Sequence, residues 1–409
     1  MAGDIHQARR DLKTRRPSQV YYKVETPARP ARAADRLLVG VFLAAIWLPL
    51  AGLAFGLDSA LVLDENRNLA TCPSWSWDRD AMAAFPRQFD SYFNDQFGFR
   101  KRLIRWLSIA KAEAFGISSS ERVVIGRDGW LFLAGEGEYD YYRATQLFSQ
   151  AELERWAAMF QQRHDWLAQR GIRYLVVIPP NKSTIYPELM PRSVNRVRRR
   201  TRLDQLLAYL QGHTTVSVVD LREALLRAKA GDQLYHRTDS HWNTRGAHVG
   251  YQGIVDALSS WFPRLSPLPA SAFQRVSSPV SGLDLANMLG LSDWFTETAF
   301  QLVPRAPLSA RRAVASCWMP GPVHPFCMPF AMECDDQSLP RAVMFRDSFC
   351  SDLVPFLSEH FRRIVYAWKY TMDQELVERE RPDVVIQELV ERRLMMDIPG
   401  FREPNTPSS

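Results

Sequence analysis

Two segments of this 409-residue chain hold residue types that could do chemistry together: Asp239-Ser240-His241-Trp242-Asn243 and Arg346-Asp347-Ser348-Phe349. Nucleophilic catalysis at serine needs an exposed hydroxyl, a base to take its proton, and a third group that holds the base in one tautomer. His241 can be the base. Asp239 precedes it by two residues in what should be an extended loop, a spacing that puts both side chains on one side. Ser348 follows the apolar run 342–345 and precedes a helical stretch starting near 351, so it falls at a strand-to-helix turn. Ligands of open α/β sheets bind at the carboxyl ends of strands. A following helix N-terminus also offers N–H groups and a partial positive charge to an oxyanion. The set points to acyl transfer through a Ser348–His241–Asp239 triad, with no metal and no cofactor. No G-x-S-x-G elbow is present, which disfavours the α/β-hydrolase fold. A metal site built from His236, Asp239, His241 and His248 has no recognisable ligand spacing.

The elements that must position these residues read as short apolar strands alternating with helices. Strands are predicted at 173–180, 216–221, 342–345, 363–368 and 383–389, and helices at 151–169, 201–211, 244–260 and 351–360. That alternation predicts a parallel, doubly wound sheet covered on both faces. Further upstream, residues 81–115 carry apolar positions at helical spacing. Asp128-Gly129 between the apolar runs of 123–133 predicts a hairpin. Between 263 and 340 the alternation fails. This stretch holds eleven of the 26 prolines and three of the five cysteines, and reads as an insertion over one edge of the sheet that shapes a cleft. Cys317, Cys327 and Cys334 lie close enough in sequence for one disulfide among them, with Cys72 and Cys350 elsewhere.

Charge is concentrated at one end. Residues 1–36 hold nine Lys/Arg against four acids, a net +5 out of the chain's +6, so the folded body gives no support for nucleic-acid binding. Residues 37–57 are apolar and uncharged, and 21 residues at about 1.5 Å each reach roughly 31 Å, the thickness of a bilayer core. The expected organisation is a basic cytoplasmic tail (1–36), a transmembrane signal anchor (37–57) kinked at Pro49, a membrane-proximal extension (58–150), a catalytic domain (151–395) and a C-terminal tail (396–409). The positive-inside rule sends residues 58–409 outward, which predicts a single-pass inner-membrane protein with its catalytic domain in the periplasm.

The chain resembles the alginate O-acetyltransferase-like group of SGNH hydrolase-like proteins (the AlgX/AlgJ and DHHW-containing families). The segments that carry the resemblance are ENRNLA (65–70), FNDQFGFR (93–100), GRDGWLF (126–132), PPNKSTIYPE (179–188), TDSHWNTRG (238–246), GLDLANMLGL (282–291) and FRDSF (345–349). The resemblance implies that Asp239, His241 and Ser348 form the triad. It also implies O-acetylation of an exported polysaccharide, with acetyl groups supplied by a multi-span membrane O-acyltransferase partner. Arg346 stands where the group's serine motif often has glycine, a cation that could stabilise developing charge. Lys182 and Tyr186, after a predicted strand end, are expected to line the cleft. Trp242 is expected to pack under His241 or stack on a sugar face. Asn243 is read as a helix N-cap and Asp347 as a turn-fixing residue. A carbohydrate acetylesterase with the same triad, and a non-catalytic polysaccharide-assembly scaffold, remain the alternatives.

Overall fold

The computed structural model describes residues 29–55, 70–313 and 328–398. The chain divides into two units, Met1–Leu61 with Leu69–Lys101, and Val62–Asn68 with Arg102–Ser409. In the first, a helix runs Arg29–Ala54 with Pro49 inside it, and a second runs Arg79–Gln96, capped by Asp78, whose carboxylate accepts from Ala81 N. Among the described residues no helix is long and apolar enough to cross a membrane. The predicted span 37–57 ends beyond Phe55, and residues 1–28 of the predicted tail and 399–409 of the C-terminal one also lie outside the described residues. The stretch 81–115, with its apolar positions at helical spacing, falls in two helices. The first ends at Gln96, where Phe97 leaves the helical region at ψ 144°, Phe99 then takes a left-handed φ of 64°, and a new helix runs Arg100–Phe115.

The second unit is built on a seven-stranded sheet. A small hairpin, β1 (Val123–Ile125) and β2 (Leu131–Leu133), precedes it, turned at Asp128 and Gly129, which both take positive φ. The remaining strands are β3 (Arg173–Ile178), β4 (Ser217–Asp220), β5 (Phe273–Ser281), β6 (Thr296–Pro304), β7 (Arg311–Ala313), β8 (Phe330–Glu333), β9 (Arg341–Arg346), β10 (Arg363–Trp368) and β11 (Val384–Glu388). The sheet order is β4-β3-β11-β9-β10-β8-β7. The first five strands are mutually parallel, and β8 and β7 add antiparallel pairs at one edge. The expected parallel sheet is therefore a mixed one.

The strands' near-continuous apolar sequences follow from burial on both faces. Side chains alternate across a strand, so Leu175, Val177, Met344, Ile364 and Ile386 enter one core, and Tyr174, Val176, Val343, Phe345, Val365 and Val385 enter the other. Helix Thr244–Ser259 covers the first face through Tyr251, Ile254, Val255 and Leu258. Helices Gln150–Ala168 and Arg202–His213 cover the second through Trp156, Phe160, Leu206 and Leu210.

The described part of the Pro-rich stretch is structured. β5 and β6 pair over nine residues, a short helix Asp284–Met288 lies in their connection, and β7 and β8 extend the main sheet. The hairpin β1-β2 packs on that helix through Val123, Leu131, Leu133, Leu285 and Leu289. The hairpin accordingly falls within the larger unit. Cys334 is a buried free thiol whose Sγ lies 3.3 Å from the Ser358 carbonyl, so no bridge runs through it. Cys317 and Cys327 lie outside the described residues.

Candidate active site

Parallel strands β3, β9 and β11 end at the same edge of the sheet, and three loops leave from there: Pro179–Lys182, Asp347–Phe349 and Leu389–Arg392. Ser348 is the first residue of a single 3-10 turn, Ser348–Asp352. Asp347 fixes that turn from below. Its Oδ1 accepts from Phe349 N at 2.9 Å and its Oδ2 from Val390 N at 2.8 Å, while Glu388 accepts from Asp347 N at 2.7 Å. Burial and the neighbouring Asp347 push the Glu388 carboxyl well above the ordinary range. Because Asp347 occupies the Phe349 amide, that N–H is not offered to an oxyanion.

The base arrives on a narrow loop. Tyr235 pairs with Trp242, and Asn243 N donates to the Leu234 carbonyl at 2.9 Å, which leaves residues 236–241 as the tip. Asn243 ends the loop as the predicted N-cap, its Oδ1 accepting from Arg245 N and Gly246 N. Gly246 is required here, since a Cβ would run into the Leu234 carbonyl oxygen.

At the tip, His241 Nε2 lies 2.7 Å from Ser348 Oγ, and His241 Nδ1 lies 2.7 Å from Asp239 Oδ1. The same Asp239 oxygen accepts from His241 N at 2.9 Å, so the two-residue spacing closes a small ring that orients the imidazole. Nδ1–H faces the carboxylate, which leaves the Nε2 lone pair for the Ser348 proton. Burial pushes the Asp239 carboxyl up, but the hydrogen bond and charge of His241 outweigh it and hold Asp239 well below the usual range. Burial likewise lowers His241, while Asp239 and then Asp284 more than compensate and raise it above its ordinary 6.5. The base form of His241 therefore appears only as pH rises through that raised value. The rate of Ser348 acylation should climb with pH, with a midpoint above the ordinary histidine value. A pH–rate profile of single-turnover acylation checks this, and a flat profile across pH 5–8 (roughly the histidine window) would contradict it.

The other four predicted site residues brace the triad and do not line a cleft. Trp242 is fully buried; its Nε1 donates to the Phe349 carbonyl at 3.0 Å and its ring meets Phe349 edge-on, tying the base loop to the nucleophile turn. Lys182 is fully buried, and its amine donates to the carbonyls of Leu131 (2.6 Å), Arg237 (2.8 Å) and Asp239 (2.9 Å). Burial pushes that amine down to about 7. Tyr186 is buried against Trp130, and its hydroxyl accepts from Leu234 N at 2.9 Å. Arg346 is buried over the Trp368 ring and donates to the Asp347 carbonyl and Ser351 Oγ, so its cation props the turn.

Three residues outside the predicted set hold the base loop. Glu297 on β6 accepts from the amides of Arg237 and Thr238, and its other oxygen lies 3.5 Å from His236 Nδ1. Thr238 receives Leu283 N on its hydroxyl. Asp284 accepts from Ser240 N and Ser240 Oγ. Asp284 lies within the GLDLANMLGL segment, the only signal in the sequence that bears on it; Glu297 has none. Ligand-type atoms of Asp239, His241 and Asp284 lie within 4.8 Å of one another, but hydrogen bonds already engage each of them.

A serine at the carboxyl edge of a parallel sheet, served by a histidine and an aspartate from a D-x-H loop, defines the SGNH hydrolase-like class. Residues 123–316 match the family described as ALGX: SGNH hydrolase-like domain, acetyltransferase AlgX. The probable alginate O-acetylase AlgJ of Azotobacter vinelandii is 25% identical over 325 residues, 75% of this chain and 78% of that protein. AlgJ of Pseudomonas putida is 32% identical over 181 residues, 42% of this chain and 43% of that protein. The solved structure of Bacillus cereus PatB1 aligns with 66% of this chain and 96% of its own, with a TM-score of 0.48 at 17% identity. Over these stretches the chain is similar to AlgX/AlgJ-like acetyltransferases.

Proposed function

We propose that this protein is an O-acetyltransferase that passes an acetyl group through Ser348 to hydroxyls of an exported polysaccharide. The observation that carries the reading is the 2.7 Å contact between His241 Nε2 and Ser348 Oγ. Ser348 lies beyond the family match, so geometry and not that match brings it to the base. His241 takes the Ser348 proton as Oγ bonds the donor's carbonyl carbon, and Asp239 stabilises the imidazolium. The same proton then leaves with the donor's departing oxygen or other leaving group. In the second half, His241 takes a proton from a sugar hydroxyl as that oxygen attacks the acetyl-serine, and returns it to Ser348 Oγ.

The names of the relatives support alginate or a similar exopolysaccharide as acceptor. The apolar segment 37–57 behind a basic tail supports a membrane anchor, with the triad on the periplasmic side. An acetyl donor arriving from the cytoplasm would then need a multi-span membrane acyltransferase as partner.

The test is intact-mass and peptide mass spectrometry after incubation with an activated acetyl ester, with and without sugar oligomers. An acetyl adduct on Ser348, absent from Ser348→Ala and chased onto the oligomer, is the expected result. Release to water alone would make the protein an esterase. No adduct from a donor of proven competence would leave the scaffold reading.

A further inference from the structure

Asp284 is delivered to the triad by the connection between β5 and β6, and it is the first residue of the helix Asp284–Met288. An aspartate in a first turn favours the positive N-terminus of its own helix. This one turns away and takes both donors of Ser240, the amide at 2.9 Å and the hydroxyl at 2.7 Å. A serine hydroxyl has one proton. With that proton committed to Asp284, Ser240 Oγ can present only lone pairs to His241 Nδ1, 3.3 Å away. Nδ1 thus faces acceptors on two sides, Asp239 Oδ1 and Ser240 Oγ. Simple anchoring of the loop does not need this carboxylate, because Leu283 N, Leu285 N and Glu297 already hold Arg237 and Thr238.

We propose that Asp284 is a positioning residue of the triad, acting through the Ser240 hydroxyl to hold His241 in the Nδ1–H tautomer that leaves Nε2 open to Ser348. This rests on the acyl-serine reading above. The charged groups that bear on His241 are Asp239 on its own loop, Asp284 from the insertion, Asp352 from the turn after Ser348 and Arg392 from the C-terminal turn. Lys182 and His236 bear on its partner Asp239. Asp239 and Asp284 repel one another, and burial and that repulsion raise the Asp284 carboxyl. The two donors from Ser240 oppose the rise.

The polarity of this relay makes the idea testable. In Asp284→Asn the amide oxygen keeps the Ser240 N–H, and the amide NH₂ must then donate to Ser240 Oγ. The hydroxyl proton is set free and turns toward His241 Nδ1 and Asp239, where it competes for the position that Nδ1–H should hold. Single-turnover acylation of the full chain by p-nitrophenyl acetate is the measurement, across a pH series, on wild type, Asp284→Asn, Asp284→Asn/Ser240→Ala and Ser348→Ala.

Asp284→Asn should be slower by about tenfold, a fraction of what general-base catalysis contributes. Its acid limb should move to lower pH, because a negative charge near His241 is gone. Removing the misdirected hydroxyl in the double variant should restore much of the rate. A wild-type rate and limb in Asp284→Asn would overturn the proposal, and so would a double variant slower than Asp284→Asn, which is the pattern of a purely structural role. If Ser348→Ala is acylated as fast as wild type, the acyl-serine reading itself falls. If Ser348→Ala is inert while Asp284→Asn is unaffected, only the role of Asp284 falls.

Discussion

Replacing His241 by alanine is expected to slow overall turnover of an acetyl ester by about a millionfold, and adding Ser348→Ala should then cost that turnover nothing more. The reasoning is that the two side chains act as one device. Ser348 Oγ is a weak nucleophile unless its proton leaves as the new bond forms. Among the described residues, His241 Nε2 is the base in hydrogen-bond contact with that oxygen. Neither half has value without the other, so their losses cannot add. The fold should survive, since Asp239 keeps the amide at position 241 as a donor and Trp242 still braces the Phe349 carbonyl. The vacated space beside Phe349 should admit free imidazole, which ought to recover part of the rate. Mass-resolved single-turnover kinetics give the answer. A loss smaller than about a hundredfold would mean that another group removes the proton.

The second large effect concerns stability. Lys182→Met should lower unfolding free energy by about 2–5 kcal/mol, since several buried carbonyls lose a donor. Three acceptors, from Leu131, Arg237 and Asp239, converge on one amine, and the replacement offers none of them a proton. Methionine fills similar volume against Trp130 and Phe132, so cavity formation contributes little. For a domain of this size the loss corresponds to a fall in melting temperature of about 10 °C. Arg237 and Asp239 belong to the base loop, so acylation should weaken below the melting transition as well. Thermal unfolding with activity measured at 25 °C separates the two effects. An unchanged melting temperature would show that the amine is not the tie its contacts suggest.

Much of this architecture was legible in the residues. Apolar runs such as RYLVVI and RIVYAW declare strands buried on both faces, and these fall at β3 and β10. Asp239 and His241 were legible because a two-residue spacing has a direct geometric meaning, and Asn243 because cap chemistry is local. The roles of Lys182, Tyr186, Arg346 and Trp242 were not, because polar atoms on a residue do not reveal whether water or a buried carbonyl will satisfy them. Lys182 is buried because rings of Trp130 and Phe132 lie over its amine and carbonyls replace its water. The insertion was illegible for a related reason. β5 buries little beyond Phe273, so it carries almost no apolar alternation, and its pairing with β6 is decided by partners in space. The break over Phe97–Phe99 turns on backbone angles that no composition signals.

The position of β11 has a consequence for the order in which this protein becomes active. Among the described residues β11 is the last strand in sequence, yet it lies between β3 and β9 in the middle of the sheet. Glu388 on that strand and Val390 just after it hold Asp347, and with it the turn that presents Ser348. A chain emerging N-terminus first can complete its base loop and β9 and still lack the strand that joins the two halves. Pairing across such long sequence separations is slow. Until translation has passed Val390, the polypeptide carries a serine and a histidine without the contacts that fix the nucleophile turn, so acyl donors should meet an inert chain before that point.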